Sequence, residues 1–366
     1  MDKLKNILVI FGGVSSEYEV SLESAHAVLC NLDREKYRPL PLGISRRGQW
    51  FYFTGAFDKI REDSWCNEAD CVPAVLSPNQ TAHELLLLKE ERVERISVDV
   101  AFPVLHGKFG EDGTVQGLIE LAGIPLAGCA SLASALCMDK DRAHKLAECF
   151  GVRVPRSAVL GISALETDDS LERAKVFAGQ VGYPLFVKPV RAGSSYGVTK
   201  VEAEEQLAPA IALAFKYDDR VILEEAIDGF EVGCAVLGRD RLIVGEVDEI
   251  ELSGGFFDYT EKYSLRTSAI HVPARIAGEK ARALQETAKR IYRALDCSGF
   301  ARVDMFLTPE GEIVFNEVNT IPGFTEHSRY PGMMRAAGYS FERILDIIIE
   351  QAEAKQDEME QGERDK

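Results

Sequence analysis

The 366-residue sequence contains no apolar run approaching the ~20 residues needed to cross a bilayer. Its opening, MDKLKNILVIFGG, superficially suggests an export signal. The apolar run is only about five residues long, however, and Gly-Gly and the acidic SSEYEVSLE follow it without a small-residue cleavage site. The opening therefore reads as a first β-strand, and the protein as cytoplasmic with no membrane partner. None of the eight cysteines (Cys30, Cys66, Cys71, Cys129, Cys137, Cys149, Cys234, Cys297) forms a CxxC pair or a Cys/His ligand cluster, so they read as reduced thiols. Positive charge is in deficit, 42 Lys and Arg against 59 Asp and Glu. A net charge of −17 argues against a general nucleic-acid partner, though not against a local basic pocket for phosphates. There is no GxxxxGK[ST] loop and no GxGxxG, which removes the usual signatures of a P-loop and of an NAD-dependent oxidoreductase. Internal repeats and low-complexity linkers are also missing, so the domains are expected to pack closely.

What is present is an alternation of strands and helices. KNILVIFGG, SLESAHAVLCNL and SVDVAFPVLHGKFGEDGTVQGLIELAGIPLAG read as strand, helix, then strand, glycine-rich loop, helix and strand. That order predicts a Rossmann-like, doubly wound parallel sheet over residues 1–128. A central α+β unit is expected over 129–224. It opens on the helix MDKDRAHKLAECFGV and includes YPLFVKPV, the loop RAGSSYGV and RVILEEAI. A strand-rich unit follows over 225–355, and residues 356–366 form an acidic tail that reads as a frayed helix end and solvated coil.

The hairpin ARVDMFLTPEGEIVFNEVN is the most informative segment. Period-two alternation puts Arg302 and Asp304 on one face of its first strand, and Glu317 and Asn319 on one face of its second. The simplest register sets Arg302 opposite Glu317, with Asp304 on the diagonal. Two carboxylates and an amide oxygen would then converge beside a guanidinium. Hard oxygens of that kind suit Mg²⁺ and phosphates better than zinc. The same residues are also compatible with ordinary cross-strand ion pairs on a solvated face. Lys188 lies on an apolar strand before a loop with two glycines and two serines, able to aim backbone N–H groups at phosphate. Taken alone, that loop also fits a flexible hairpin, and Lys140 an exposed helix lysine. GGFFDYTEKYSLRTS fits a lid in which Lys262 and Tyr263 close over a ligand, and equally an aromatic-anchored surface loop. Glu17 starts a helix after a glycine turn. His106 follows a strand, at the edge where open α/β sheets bind ligands.

Six segments in order, GGVSSEYEVSL, PVLHGKFGEDGTVQG, SALCMDKDRAHK, FVKPVRAGSSYGV, FFDYTEKY and FNEVNTIPGFTEHS, resemble the D-alanine–D-alanine ligase family of the ATP-grasp fold over residues 5–350. The resemblance implies a homodimeric carboxylate–amine ligase. In that family ATP converts the carboxylate of a first D-alanine to an acyl phosphate, which the amine of a second substrate attacks. It implies Mg²⁺ (or Mn²⁺), in two ions, on Asp304, Glu317 and Asn319, and ATP phosphates at Lys140, Lys188 and Lys262. The purine and ribose fall to Glu224, Ala226, Ile227, Glu231 and Phe256. Arg302 would stabilise the oxyanion, and Glu17, Ser194 and Tyr263 would form a triad joining the domains. Glu17 and His106 would face the first D-alanine; Gly323 and Ser328 would line the second-substrate site. HSRYP, with Arg329 where many housekeeping members carry an apolar residue, is similar to the vancomycin-resistance branch. D-lactate ligases of that branch carry a lid histidine where this chain has Tyr263. VDEIELSGGFFDYTEKY is most similar to the VanG type of D-alanine–D-serine ligase, in which Asp248, Phe257 and Arg329 would surround the second amino acid. That type makes peptidoglycan precursor termini with low vancomycin affinity; a housekeeping D-alanine–D-alanine ligase is the alternative.

Overall fold

A computed structural model describes residues 4–162, 169–252 and 268–364. The N-terminal unit contains β1 (Lys5–Gly12), α1 (Tyr18–Asn31), β2 (Tyr37–Ile44), β3 (Trp50–Phe53), α2 (Asp58–Arg61), β4 (Cys71–Leu76), β5 (Glu84–Leu88), β6 (Val93–Ser97), β7 (Val100–Val104) and α3 (Thr114–Leu121). Its seven strands run in the order β6-β5-β4-β3-β2-β1-β7. Only β1 with its neighbours β2 and β7 is parallel. The strands from β3 outward are antiparallel, so the sheet is mixed: its parallel core is as the sequence predicts, and an antiparallel meander extends it on one side. Every residue of β1 after Lys5 is buried, as expected of a strand covered on both faces. The chain leaves β1 through Gly12, at φ +86°, where a Cβ would lie 2.2 Å from the Ile44 carbonyl oxygen. No other residue type fits there without displacing β2.

Helices α4 (Ser131–Met138) and α5 (Lys140–Cys149) follow. The central sheet then holds β8 (Ser157–Gly161), β9 (Leu185–Pro189), β10 (Thr199–Val201) and β11 (Arg220–Glu225), in the order β10-β9-β11-β8, all antiparallel. Helices α6 (Asp169–Val181) and α7 (Leu207–Ala214) cover it, giving a small core of its own around Val187, Leu223 and Ile211. Ala133, Cys137, Ala143 and Ala147 of α4 and α5 pack with Cys234, Val303 and Phe315 of the C-terminal sheet, not with the central one. Small side chains on these two helices let them lie close against that larger apolar surface.

The C-terminal sheet contains β12 (Phe230–Leu237), β13 (Ile243–Val244), β14 (Asp248–Leu252), β15 (Ser268–His271), β16 (Phe300–Leu307) and β17 (Ile313–Asn319). Its order is β15-β14-β12-β16-β17, with β13 on β12. Helices α8 (Gly278–Ala294), α9 (Arg329–Ala336) and α10 (Phe341–Arg364) complete the unit. Among the described residues no helix is long and apolar enough to cross a membrane. One core joins the two ends of the chain. Phe102 from β7 meets Phe300 edge-on at 5.8 Å and Phe324 at 6.2 Å, and Phe324 stacks on Tyr330 at 5.6 Å. Phe300 is 1% exposed, so Phe300→Ala removes the centre of this cluster and should cost about 3–5 kcal/mol. The check is the urea unfolding midpoint; an unchanged midpoint would mean that this cluster does not bind the two units.

Candidate active site

The hairpin β16–β17 forms as expected, but its register differs from the simplest one. Met305 pairs with Phe315, whereas Asp304 pairs with Glu317 and Arg302 with Asn319, with a bulge between Asp304 and Met305. Asn316 is the extra residue on β17, and its carbonyl accepts a 2.7 Å bond from His144 Nε2 on α5. A bulge displaces the side chains beyond it by one position. Asp304 and Glu317 are therefore direct cross-strand neighbours rather than diagonal ones.

Asp304 is 1% exposed and its charge is heavily shared. Arg302 grips it through Nε at 2.8 Å and Nη2 at 2.7 Å, Asn319 Nδ2 donates at 2.9 Å, and Arg329 Nη2 lies 3.3 Å away. Arg329 enters from the start of α9 and reaches three acids. It donates to Asp248 through Nε (2.7 Å) and Nη2 (2.8 Å), and to Glu231 through Nη1 (2.9 Å). Asp248 also accepts the Gly233 N–H at 2.7 Å. Burial opposes the ionisation of Asp248, but the charges of Arg329 and Arg302 outweigh it and hold its carboxyl below the usual range.

On the neighbouring wall, Lys188 Nζ bonds Glu224 at 2.6 Å. Lys140 Nζ bonds the Ala192 carbonyl at 2.9 Å and lies 3.6 Å from Glu317. Burial again works against the Glu224 carboxylate, and nearby positive charge, that of Lys188 first, more than offsets it. Glu224 Oε1 and His144 Nδ1 are 3.5 Å apart, and among the described residues neither has a hydrogen-bond partner. Such orphaned buried atoms mark a place prepared for a polar ligand edge. Ala226 and Ile227, partly exposed, follow β11 directly below. Two carboxylates and an amide on adjacent strands, beside two lysines, fit a hard divalent cation bridged to phosphates. Among the described residues no set of three or more His, Cys, Asp or Glu gathers into a metal cage.

The N-terminal unit reaches this floor through the loops after β1 and β7. Ser194, at φ +49° in the loop after β9, donates a hydrogen bond to Glu17. A Cβ on Gly107 or Gly193 would fall 2.4 Å or 2.8 Å from Glu17 Oε2, so glycine at both positions lets the carboxylate lie between two backbones. His106 is 4% exposed. Its Nδ1 meets the Ile321 carbonyl at 2.8 Å and its Nε2 meets Ser24 Oγ at 3.1 Å. Nδ1 thus ties the N-terminal unit to the segment after β17, while Nε2 is held within that unit by α1. Gly323 and Ser328 lie together: a Cβ at 323 would be 3.0 Å from Ser328 Oγ. Ser328 is the N-cap of α9, and its Oγ accepts the Thr325 N–H at 3.0 Å. Phe256, Phe257, Lys262 and Tyr263 lie outside the described residues.

Two family models cover this architecture: the D-ala D-ala ligase N-terminus matches residues 6–129 and the D-ala D-ala ligase C-terminus residues 146–350. The chain belongs to the D-alanine–D-alanine ligase family. Its fold is the ATP-grasp fold of those ligases. The crystal structure of VanG D-Ala:D-Ser ligase from Enterococcus faecalis is 55% identical, with a TM-score of 0.87, covering 96% of this chain and all of that one. Vancomycin B-type resistance protein VanB of Enterococcus faecalis is 47% identical over 95% of this chain and 98% of its own length. A putative D-alanine–D-lactate ligase from Streptomyces coelicolor is also 47% identical, over 95% of this chain and 97% of its own length.

The sequence reading passed over Ser24 and Glu111. In this ligase Glu111 accepts the Gly107 N–H at 2.9 Å and the Ile321 N–H at 3.0 Å, and Ser24 Oγ accepts the Phe324 N–H at 3.1 Å. Burial, reinforced by the nearby Glu17 charge, pushes the Glu111 carboxyl above the usual range. The only hint in the sequence was an acid inside a glycine-rich turn. Burial holds His106 neutral, with its pKa lowered from 6.5 to about 4, and the charge of Arg302 adds to this against the pull of the Ile321 carbonyl. Between those two values the unfolded chain binds a proton that the folded chain refuses. Stability present above pH 6.5 is therefore lost as the pH falls to about 4, by up to roughly 3 kcal/mol. In urea titrations across that window, His106→Gln should show a visibly shallower loss than the wild type. Equal slopes would sink the assignment.

Proposed function

We propose that this family member is an ATP-dependent ligase joining D-alanine to D-serine, with Mg²⁺ (or Mn²⁺) as its cation. The observation that carries the acceptor choice is the Asp248–Arg329 pair, bonded at 2.7 Å and 2.8 Å and buried. A site that bonds a hydroxyl discriminates strongly against an acceptor lacking one, because its buried polar groups are otherwise left short of a partner. The relationship to VanG D-Ala:D-Ser ligase supports D-serine. The relationship to a putative D-alanine–D-lactate ligase pulls the other way, but this chain has Tyr263 where the resemblance puts a histidine in D-lactate ligases.

In this reading Asp304, Glu317 and the amide of Asn319 hold the cation. When bound, it neutralises phosphate charge. Lys140 and Lys188, with Lys262 from the segment outside the described residues, supply fixed positive charge to the phosphates. Glu224, Ala226 and Ile227 receive the purine, with Phe256 as the aromatic wall, and Glu231 sits toward the ribose. Arg302, buried on the same strand as Asp304, stabilises the oxyanion that forms when the amine attacks. Glu17, Ser194 and Tyr263 keep the three units in register around the first D-alanine. Ser328 and the start of α9 receive the carboxylate of the acceptor, where the helix dipole favours negative charge. Phe257 packs beside the acceptor.

The test is a competition between D-serine and D-alanine as acceptors, with ATP, Mg²⁺ and D-alanine as donor near neutral pH. Mostly D-alanyl-D-serine is expected. Mostly D-alanyl-D-alanine would leave the fold and chemistry intact but make this a housekeeping wall-precursor enzyme. Glu317→Gln should lower turnover by at least about 100-fold while the circular dichroism spectrum and unfolding midpoint stay near wild type. Normal turnover in that variant would sink the metal assignment.

A further inference from the structure

Gly233 lies in the middle of β12, where glycine is the least suited residue. It packs nothing and weakens a strand. Its φ is outside the left-handed region, so the backbone does not call for glycine. Its neighbours explain it. A Cβ at 233 would stand 2.4 Å from Arg329 Nη2, 2.6 Å from Asp248 Oδ1 and 3.1 Å from Asp304 Oδ1. The first two separations are shorter than any ordinary contact. The Gly233 N–H in turn holds Asp248 at 2.7 Å. The guanidinium therefore lies directly over bare backbone, in space that any side chain would fill.

We infer that Gly233 is a specificity-determining position: the missing side chain is what allows an arginine from α9 to lie flat against β12 and pair with Asp248. The inference rests on the acceptor reading given above. Glu231, two residues earlier on the same face of β12, completes the seat by taking Arg329 Nη1 at 2.9 Å. Arginine at 329 and glycine at 233 thus act as one unit. Acquiring either alone would be unproductive, since the arginine without the gap has no seat, and the gap without the arginine leaves Asp248 buried and unpaired.

The experiment is a double-mutant cycle of Gly233→Ala and Arg329→Leu, read in acceptor kinetics and in thermal unfolding. Gly233→Ala should lower the D-serine to D-alanine ratio of kcat/KM by about tenfold or more. The loss should appear in the KM for D-serine, with the KM for ATP within about twofold of wild type. In the Arg329→Leu background the same alanine should change the ratio less than about twofold, and it should lower Tm less than in the wild type. Equal losses with both acceptors, or additive effects in the cycle, would overturn the inference. A wild type that makes no D-alanyl-D-serine would instead overturn the acceptor reading. The Tm cycle still tests the seat in that case, because it does not depend on which acceptor is used.

Discussion

The C-terminal sheet is organised around one buried carboxylate. Asp304 is almost fully enclosed on β16, where an isolated charge would be costly to bury. It stays tolerable because Arg302, Asn319 and Arg329 surround it. Each of these partners brings a requirement of its own. Arg302 and Asp304 must be two residues apart on a strand, so that they share a face. Asn319 must lie across from Arg302, which the bulge at Asn316 arranges. Arg329 must approach from another element altogether, and Asp248 and Glu231 balance its charge. Two guanidiniums and three carboxylates thus alternate across β14, β12 and β16. Removing Arg329 would leave Asp248 without its ion-pair partner, a loss of about 3–5 kcal/mol for a pair this deeply buried.

The N-terminal unit is tied by a few polar contacts to the central unit and to this floor. Ser194 takes Glu17 from the loop after β1, and the backbone of Ile321 is held from both ends by His106 and Glu111. Both N-terminal loops leave the C-terminal ends of parallel strands, the edge at which open α/β sheets assemble sites. Large apolar surface beneath, from Phe102 to Tyr330, supplies the association energy, while these few directional bonds set the angle at which the units meet.

Period-two alternation made the face of the hairpin legible from the sequence, and the choice of Arg302, Asp304, Glu317 and Asn319 follows from it. The register did not follow. It depends on one extra residue, Asn316, whose carbonyl is held by a histidine 172 positions away in the chain. The mixed character of the first sheet was hidden for a similar reason: strands β3 to β6 are short, and alternation alone does not tell parallel from antiparallel pairing. Helix α5 presses its small apolar residues on the C-terminal sheet while its polar end meets β11, a division its apolar stripe does not reveal because it specifies burial but not against what. His106 was legible as a residue at a ligand-binding edge. That both its nitrogens are committed to Ser24 and Ile321 follows only from how the two ends of the chain meet.

The donor count of Arg329 carries the acceptor argument one step further. A guanidinium has five N–H donors. Nε–H and one Nη2–H go to Asp248, the second Nη2–H points toward Asp304 at 3.3 Å, and one Nη1–H goes to Glu231. Among the described residues a single Nη1–H is left over. A side chain so thoroughly held loses little rotamer freedom when a ligand arrives, so the bond to that ligand is not weakened by ordering cost. One remaining donor suits one neutral oxygen. A carboxylate seeking the bidentate grip that free arginine offers would have to displace Asp248 or Glu231. Under the proposed function, such an arrangement would favour a small hydroxyl over an acid at this point, and would leave the acceptor's carboxylate to Ser328 and the start of α9.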